Sequence, residues 1–305
     1  MLQSMSILPG LKREGYEITV FCTPRGVEVV RHDPHIDHLV IQDEDMVPNA
    51  ELMTYFDYLK KKYTKVINLC ETVEGIALPM SFRAHFHWPK DARHAICNKN
   101  YVELQHLIAE VPYTQPETRF YPTQDELIWA RKERNAFGGG PLIAWALSGS
   151  AFHKIWPYVN VTAEAVVKIF PEARIVFLGG DAEKSLIGEL GERFYSRAGE
   201  WDIRQSIAFA QQADMVIGPE TGVLNAVAME DMPKILLLSH STVENLSRDW
   251  KRTVSLVPEG VDCYPCHRLQ LDGWKYCNRH PEGNAACQRS IKPEAMIKAI
   301  VEGLQ

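Results

Sequence analysis

Short apolar runs, each stopped by glycine or proline and followed by a segment with helical spacing, constrain this chain more than any other feature. Residues 205–238 show the pattern in full. Met215, Val216 and Ile217 form a continuous apolar run, as a strand covered on both faces requires. Gly218, Pro219, Glu220, Thr221 and Gly222 interrupt it, residues 223–229 resume at helical spacing, and residues 235–238 read as the next buried strand. A loop leaving the carboxyl end of a parallel strand and entering a helix is where open α/β sheets bind ligands. Such a helix start offers free N–H groups and a positive dipole end to an anion. Within this loop Glu220 can accept hydrogen bonds from a sugar diol and Thr221 can donate one to phosphate. An ordinary strand–helix turn, with an acidic residue near the helix start, has the same composition.

The same alternation runs along the whole chain. Strands are expected at 18–22, 39–41, 66–69, 142–147 and 175–178, with helices at 1–11, 26–32, 52–62, 101–110, 163–170 and 183–196. Thr123 and Glu126 have capping-box spacing and open a further helix. Pro293 suits the first turn of a last helix, whose Met296, Ile297, Ile300, Val301 and Leu304 form an apolar stripe. Gly138, Gly139, Gly140 and Pro141 form the best domain boundary in the chain. The fold class is therefore α/β: two doubly wound, Rossmann-like domains facing a cleft, residues 1–137 and 138–305.

Composition removes several functions. The chain has 305 residues, 46% of them hydrophobic and 24% charged, and a formal net charge of −6. That balance gives no global basic field for nucleic acid. No apolar run approaches the roughly 18 residues that span a bilayer, and the first residues lack the basic segment and apolar core of a signal peptide. A cytoplasmic setting is expected, with at most peripheral contact at the inner face of the membrane.

Two more strand-end loops have the composition of the first. Ser148, Gly149 and Ser150, followed by Lys154, combine small residues that let backbone approach an anion, hydroxyl donors and a cation. The P-loop spacing is absent. Leu178, Gly179, Gly180 and Asp181 either pass beneath a flat base or simply turn. All three loops belong on one edge of one parallel sheet, and together they suggest a nucleoside diphosphate. No G-x-G-x-x-G fingerprint is present, which argues against a nicotinamide enzyme.

These pieces, LSGSAFHKIWP, IVFLGGDAEKS and ADMVIGPETGVLNAVA, with the Trp250 region and the CYPC segment, resemble the bacterial ADP-heptose:lipopolysaccharide heptosyltransferases of glycosyltransferase family 9. The resemblance covers nearly the whole chain. It implies a GT-B fold and an inverting, metal-independent transferase that moves a heptose-like sugar from a nucleoside-diphosphate donor, ADP-sugar favoured, to a glycan or other hydroxyl acceptor. It also implies a place in lipopolysaccharide or other surface-glycan synthesis. By position, Ser148, Gly149, Ser150 and Lys154 would hold the diphosphate, with Lys154 stabilising the leaving group. Leu178 and Gly179 would line the base pocket, Glu220 would sit near the ribose, and Thr221 and Gly222 would contact phosphate. The family has an aspartate and a histidine where this chain has Glu220 and Asn225, which places Asn225 among the donor-binding residues and leaves the nucleotide and sugar open. Its general-base aspartate, in a Gly-Asp loop after a first strand, falls upstream of Met1, so the N-terminal domain reads as lacking its first strand. Substitute bases within the chain are Glu71, His85, His87 and Asp91. A non-catalytic nucleotide- or sugar-binding protein of the same fold is the alternative.

Four of the seven cysteines crowd into residues 263–287. Cys263, Cys266, Cys277 and Cys287 suit a structural zinc site, with disulfides or plain thiols as the other readings. No cofactor is expected for catalysis.

Overall fold

The computed structural model describes residues 1–43, 46–114, 118–188 and 191–305. The second half is built on six parallel strands: β3 (Leu142–Ala146), β4 (Arg174–Leu178), β5 (Phe194–Ser196), β6 (Met215–Pro219), β7 (Lys234–Leu237) and β8 (Thr253–Leu256), in spatial order β5-β4-β3-β6-β7-β8. Successive side chains of a strand point to opposite faces, and the two faces meet different cores. Ile143, Trp145, Ile175, Phe177, Met215, Ile217, Ile235 and Leu237 pack with Trp156, Ala163, Met296 and Ile300. Leu142, Ala144, Val176, Leu178, Val216 and Leu236 pack on the other side with Ile207, Phe209, Leu224 and Val227. Burial on both faces is why these strands are apolar without alternation. The helix Pro293–Leu304 closes the first of these cores through Met296 and Ile300 of the expected stripe, with Leu304 partly buried beside them, and through Ala299, which lies outside that stripe.

In the first half β1 (Thr19–Cys22) and β2 (His38–Ile41) pair in parallel, surrounded by helices. Residues 66–69 are half-buried and join no ladder, unlike the strand expected there. The helix expected over residues 1–11 is two, Leu2–Met5 and Leu8–Arg13, with Pro9 in the first turn of the second. Thr123 and Glu126 form both bonds of the capping box and open the helix Gln124–Ala136.

A larger difference lies at residues 183–196. Instead of one long helix there is a 3-10 segment, Asp181–Leu186, followed by edge strand β5; Glu189 and Leu190, also within that expected helix, lie outside the described residues. Gly179 and Gly180 are not helical, Gly180 being extended, and the tighter helix form starts only at Asp181. Tyr195 packs in one core and Phe194 in the other, as a strand and not a helix face would place them.

From β3 the chain steps outward to β4 and β5, then crosses back to β6 and steps out to β7 and β8. The order reverses between β3 and β6, so the crevice at their carboxyl ends is the topological switch point where this class of sheet binds ligands.

Candidate active site

The loop after β3 and the loop after β6 meet at that switch point. Lys154 ends a one-turn 3-10 segment, Phe152–Lys154, and is 6% exposed. Its Nζ donates to the carbonyl oxygen of Glu220 at 2.9 Å, and burial lowers its pKa. Gly149 lies between the two residues. A Cβ there would stand 2.8 Å from Lys154 Cδ and 3.1 Å from the Glu220 carbonyl, so only glycine lets the loop close. Lys154 is thereby brought to the strand ends as the sequence predicts.

Glu220 lines the cavity and is already bonded within the chain. It is 6% exposed, and its carboxylate accepts from Ser239 Oγ at 2.5 Å, Ser241 N at 3.1 Å, Ser239 N at 3.3 Å and His240 Nδ1 at 2.8 Å. The carboxylate therefore ties the end of β6 to the loop after β7. Burial alone would raise its pKa, but His240, Lys154 and Ser239 together hold it well below the usual carboxylate range. His240, with which sequence reasoning did not reckon, is 2% exposed and also lies 3.1 Å from His153 Nε2. Burial first, and then His240, push His153 down to about 3.

The remaining expected residues divide. Ser148 borders the site and donates from Oγ to Glu183 Oε1 at 2.6 Å, a half-buried carboxylate that the expected helix concealed. Ser150 is exposed. Gly179 packs under Glu183, whose Cβ would lie 2.9 Å from an added methyl. Leu178 is 1% exposed, its side chain turned into the core by strand alternation. Thr221 accepts from Leu224 N at 3.3 Å and caps the helix Gly222–Ala226. That helix has five residues, shorter than expected, so its dipole offers little to an anion. Gly222 is exposed, with nothing within 4 Å of an added Cβ, which leaves room for a ligand's close approach. Asn225 donates to Thr221 O at 2.8 Å and accepts from Gln3 Nε2 at 2.9 Å, a bond between the two halves of the chain.

The first half supplies the facing wall. A cavity of about 330 Å³ is lined by Glu71, Glu74 and Tyr101 on that side and by Lys154, Asn225 and His240 on the other. Glu71 precedes the helix Thr72–Ile76 in the left-handed region, φ 53°, and pairs with Arg83. Such a conformation in a non-glycine residue costs of order 1 kcal/mol and holds only where the surroundings impose it. Of the other substitute bases, His87 Nε2 lies 2.8 Å from Ser81 O, and neither it, His85 nor Asp91 lines the cavity. Tyr101 OH lies 2.7 Å from Ser241 Oγ, connecting the wall to the loop that Glu220 holds.

The expectation of a zinc site finds no support. Among the described residues no group of three or more His, Cys, Asp or Glu side chains is placed to hold a metal. Cys263, Cys266, Cys277 and Cys287 are free thiols, and burial pushes Cys266 up to about 12 and Cys277 up to about 11. Hydrogen bonds fasten this segment instead. Arg93 Nε donates to Cys266 O at 2.6 Å, Arg268 Nε to Phe86 O at 2.8 Å and Gln288 Nε2 to Leu238 O at 3.0 Å.

A six-stranded parallel sheet whose switch point opens on a cleft faced by a helix-rich half is an α/β architecture, and the solved structures it resembles give it the GT-B class of fold. No family model and no curated protein matches the chain. Solved structures do. The E. coli ADP-heptose lipopolysaccharide heptosyltransferase II superposes with a TM-score of 0.69 at 14% identity, covering 100% of this chain and 95% of its own. A glycosyltransferase family 9 structure from Veillonella parvula gives 0.70 at 14% identity, over 99% and 93%. E. coli heptosyltransferase WaaC with ADP gives 0.57 at 11%, over 99% and 95%. At these identities the likeness establishes the fold.

Proposed function

We propose that the chain is a glycosyltransferase that moves a heptose-like sugar from a nucleoside diphosphate, ADP favoured, to a hydroxyl acceptor. The observation that carries this is the buried Lys154 at the switch-point crevice, packed on Glu220 and facing the cavity. The ADP and ADP-heptose in the names of the similar structures support the choice of donor. In the reaction the acceptor oxygen bonds to the anomeric carbon from one face while the bond to the diphosphate oxygen breaks on the other, inverting the centre. The electron pair leaves on the diphosphate, and the acceptor's proton passes to a base on the facing wall. Lys154, itself buried, meets the developing negative charge, and a fixed cation is worth most where water is excluded. The scheme needs no metal. Ser148, Gly149, Ser150, Gly179, Thr221, Gly222 and Asn225 border the donor, and residues 1–137 carry the acceptor side. The acceptor is a glycan of lipopolysaccharide or another surface polymer, met in the cytoplasm or at the inner face of the membrane.

A thermal-shift panel of nucleoside diphosphates and nucleotide sugars, run on wild type and Lys154→Ala, tests this. Stabilisation of wild type by a nucleoside diphosphate, lost in the variant, is the expected result. No stabilisation by any of them ends the donor-site reading. Stabilisation without turnover of any donor sugar selects the non-catalytic binder.

A further inference from the structure

Three titratable side chains that no sequence motif joins meet behind Lys154. His240 Nδ1 lies 2.8 Å from Glu220 Oε2, 3.0 Å from Ser239 Oγ and 3.1 Å from His153 Nε2. All of them address the same ring nitrogen. An ionised carboxylate only accepts hydrogen bonds, so Nδ1 carries the proton that faces Glu220. Among the described residues no hydrogen bond reaches Nε2, and His240 forms part of the cavity wall together with Lys154 and Asn225. A carboxylate that fixes an imidazole through one nitrogen, and so aims the other, is a recurrent device of active sites. Glu220 is well placed for it: backbone N–H groups of Ser239 and Ser241 hold its oxygens, so the ring is oriented from a rigid base.

We infer that His240 is a second contact for the donor diphosphate, its Nε2 meeting one phosphate oxygen while Lys154 Nζ meets another, with Glu220 as the positioning residue behind it. This rests on the donor-site reading above and adds to it a residue from a different loop. With Nδ1–H turned to Glu220, the ring donates to a phosphate oxygen as an imidazolium. Its charge then lies between the Glu220 carboxylate and the diphosphate, compensated on both sides. His240 stands on the same wall as Lys154, the leaving-group side, so it takes no proton from the acceptor. The ligand class is narrowed accordingly: a diphosphate is recognised by two cationic groups, whereas a nucleoside or sugar without phosphate has no use for the second.

Isothermal titration calorimetry of ADP and adenosine against the full chain decides the matter, using wild type, H240A, H240N and H240Q, with UDP, GDP and their nucleosides titrated in the same way. Asparagine reproduces Nδ1 and so the bond to Glu220; the longer glutamine amide reaches the place of Nε2. H240A and H240N are expected to weaken ADP by about tenfold or more, the worth of one charge-assisted hydrogen bond, and to leave adenosine affinity unchanged. H240Q, which restores a donor without its charge, is expected to recover part of the loss. If H240A does not fold, the ADP-to-adenosine ratio in the other two variants gives the same answer. Equal losses for both ligands, rescue by asparagine but not by glutamine, or an H240A that binds ADP like wild type each overturn the inference while leaving the donor site standing. A wild type that binds none of ADP, UDP and GDP fails the donor reading, and this inference with it.

Discussion

The two walls of the cleft are made differently. The wall from the second half rests on a six-stranded sheet, and its charged groups are buried and bonded before any ligand arrives: Glu220 holds four donors, and Lys154 is fixed on a carbonyl. The wall from the first half rests on a two-stranded sheet and a five-residue helix. Its Glu71 keeps 48% of its side chain exposed and a strained backbone. Preorganised dipoles and charges suit a site where negative charge develops at one fixed place. A wall of short helices and loops suits a variable partner, since loops tolerate change where packed strands do not. On the proposed function, the difference teaches that such a chain would commit itself to its donor and leave its acceptor side adjustable.

The sharpest way to break that contrast is to empty the rigid wall. Glu220→Ala leaves buried donors on Ser239, Ser241 and His240 without an acceptor. Breaking a buried charged network in this way costs about 3 to 5 kcal/mol, which urea denaturation will read directly. The sign with pH follows from the lowered carboxyl. Burial opposes ionisation, but His240, Lys154 and Ser239 outweigh it, so the folded-state pKa lies below the unfolded one. The stabilisation is complete above the ordinary carboxylate range near pH 4. It is lost as pH falls below that range toward the folded value, and the variant should lack this acid limb.

Much of this wall was legible beforehand. β3, β4, β6 and β7 stand out because burial on both faces leaves them apolar apart from Arg174 and Lys234 at the starts of β4 and β7, and Lys154 stands out as a cation among small residues at a strand end. Edge strands gave no such signal. β5 reads Phe194, Tyr195, Ser196 and is half-buried throughout, so it merged with a helical pattern. His240 was missed because its partners come from loops far apart in sequence; His153 is 87 residues away. The available clue was its position just past the apolar run of β7. Composition places the Glu220 carboxylate near a ligand, and Glu220 does line the cavity, but composition cannot show that the backbone N–H groups of Ser239 and Ser241 already bond it.

The next effect in size is on binding. Lys154→Met keeps the packing of the buried stem and removes the charge. ADP affinity should fall by about ten- to a hundredfold, as for a lost charge-assisted hydrogen bond, with little change in Tm because a buried cation also loses its desolvation cost. Calorimetry beside a melting curve separates the two. A larger loss of stability than of affinity would make Lys154 a structural residue.

Two glycines then test the same wall with one methyl each. Gly149→Ala forces a Cβ against Lys154 Cδ and the Glu220 carbonyl, and overpacking of this kind costs about 1 to 3 kcal/mol. Gly222→Ala meets nothing within 4 Å and sits in a helix, where alanine gains up to about 1 kcal/mol. If Gly222 is where phosphate approaches the backbone, that variant should be more stable and bind ADP less well. A Gly222→Ala protein with undiminished affinity would move the phosphate away from this loop.

The smallest effect belongs to the contact between the walls. Gln3 Nε2 donates to Asn225 Oδ1 at 2.9 Å, in a partly buried setting at the cleft. Gln3→Ala should cost about 0.5 to 1.5 kcal/mol, the net worth of one neutral hydrogen bond, because water can reach the atoms left behind. Asn225 retains its bond to Thr221 O, so the donor wall should keep its shape and its ADP affinity. The acceptor wall, by contrast, loses a tether to its partner, and acceptor KM should rise while donor affinity holds. Were donor affinity to fall as well, the two walls would be coupled through Asn225, and the rigid half would owe part of its order to the adjustable one.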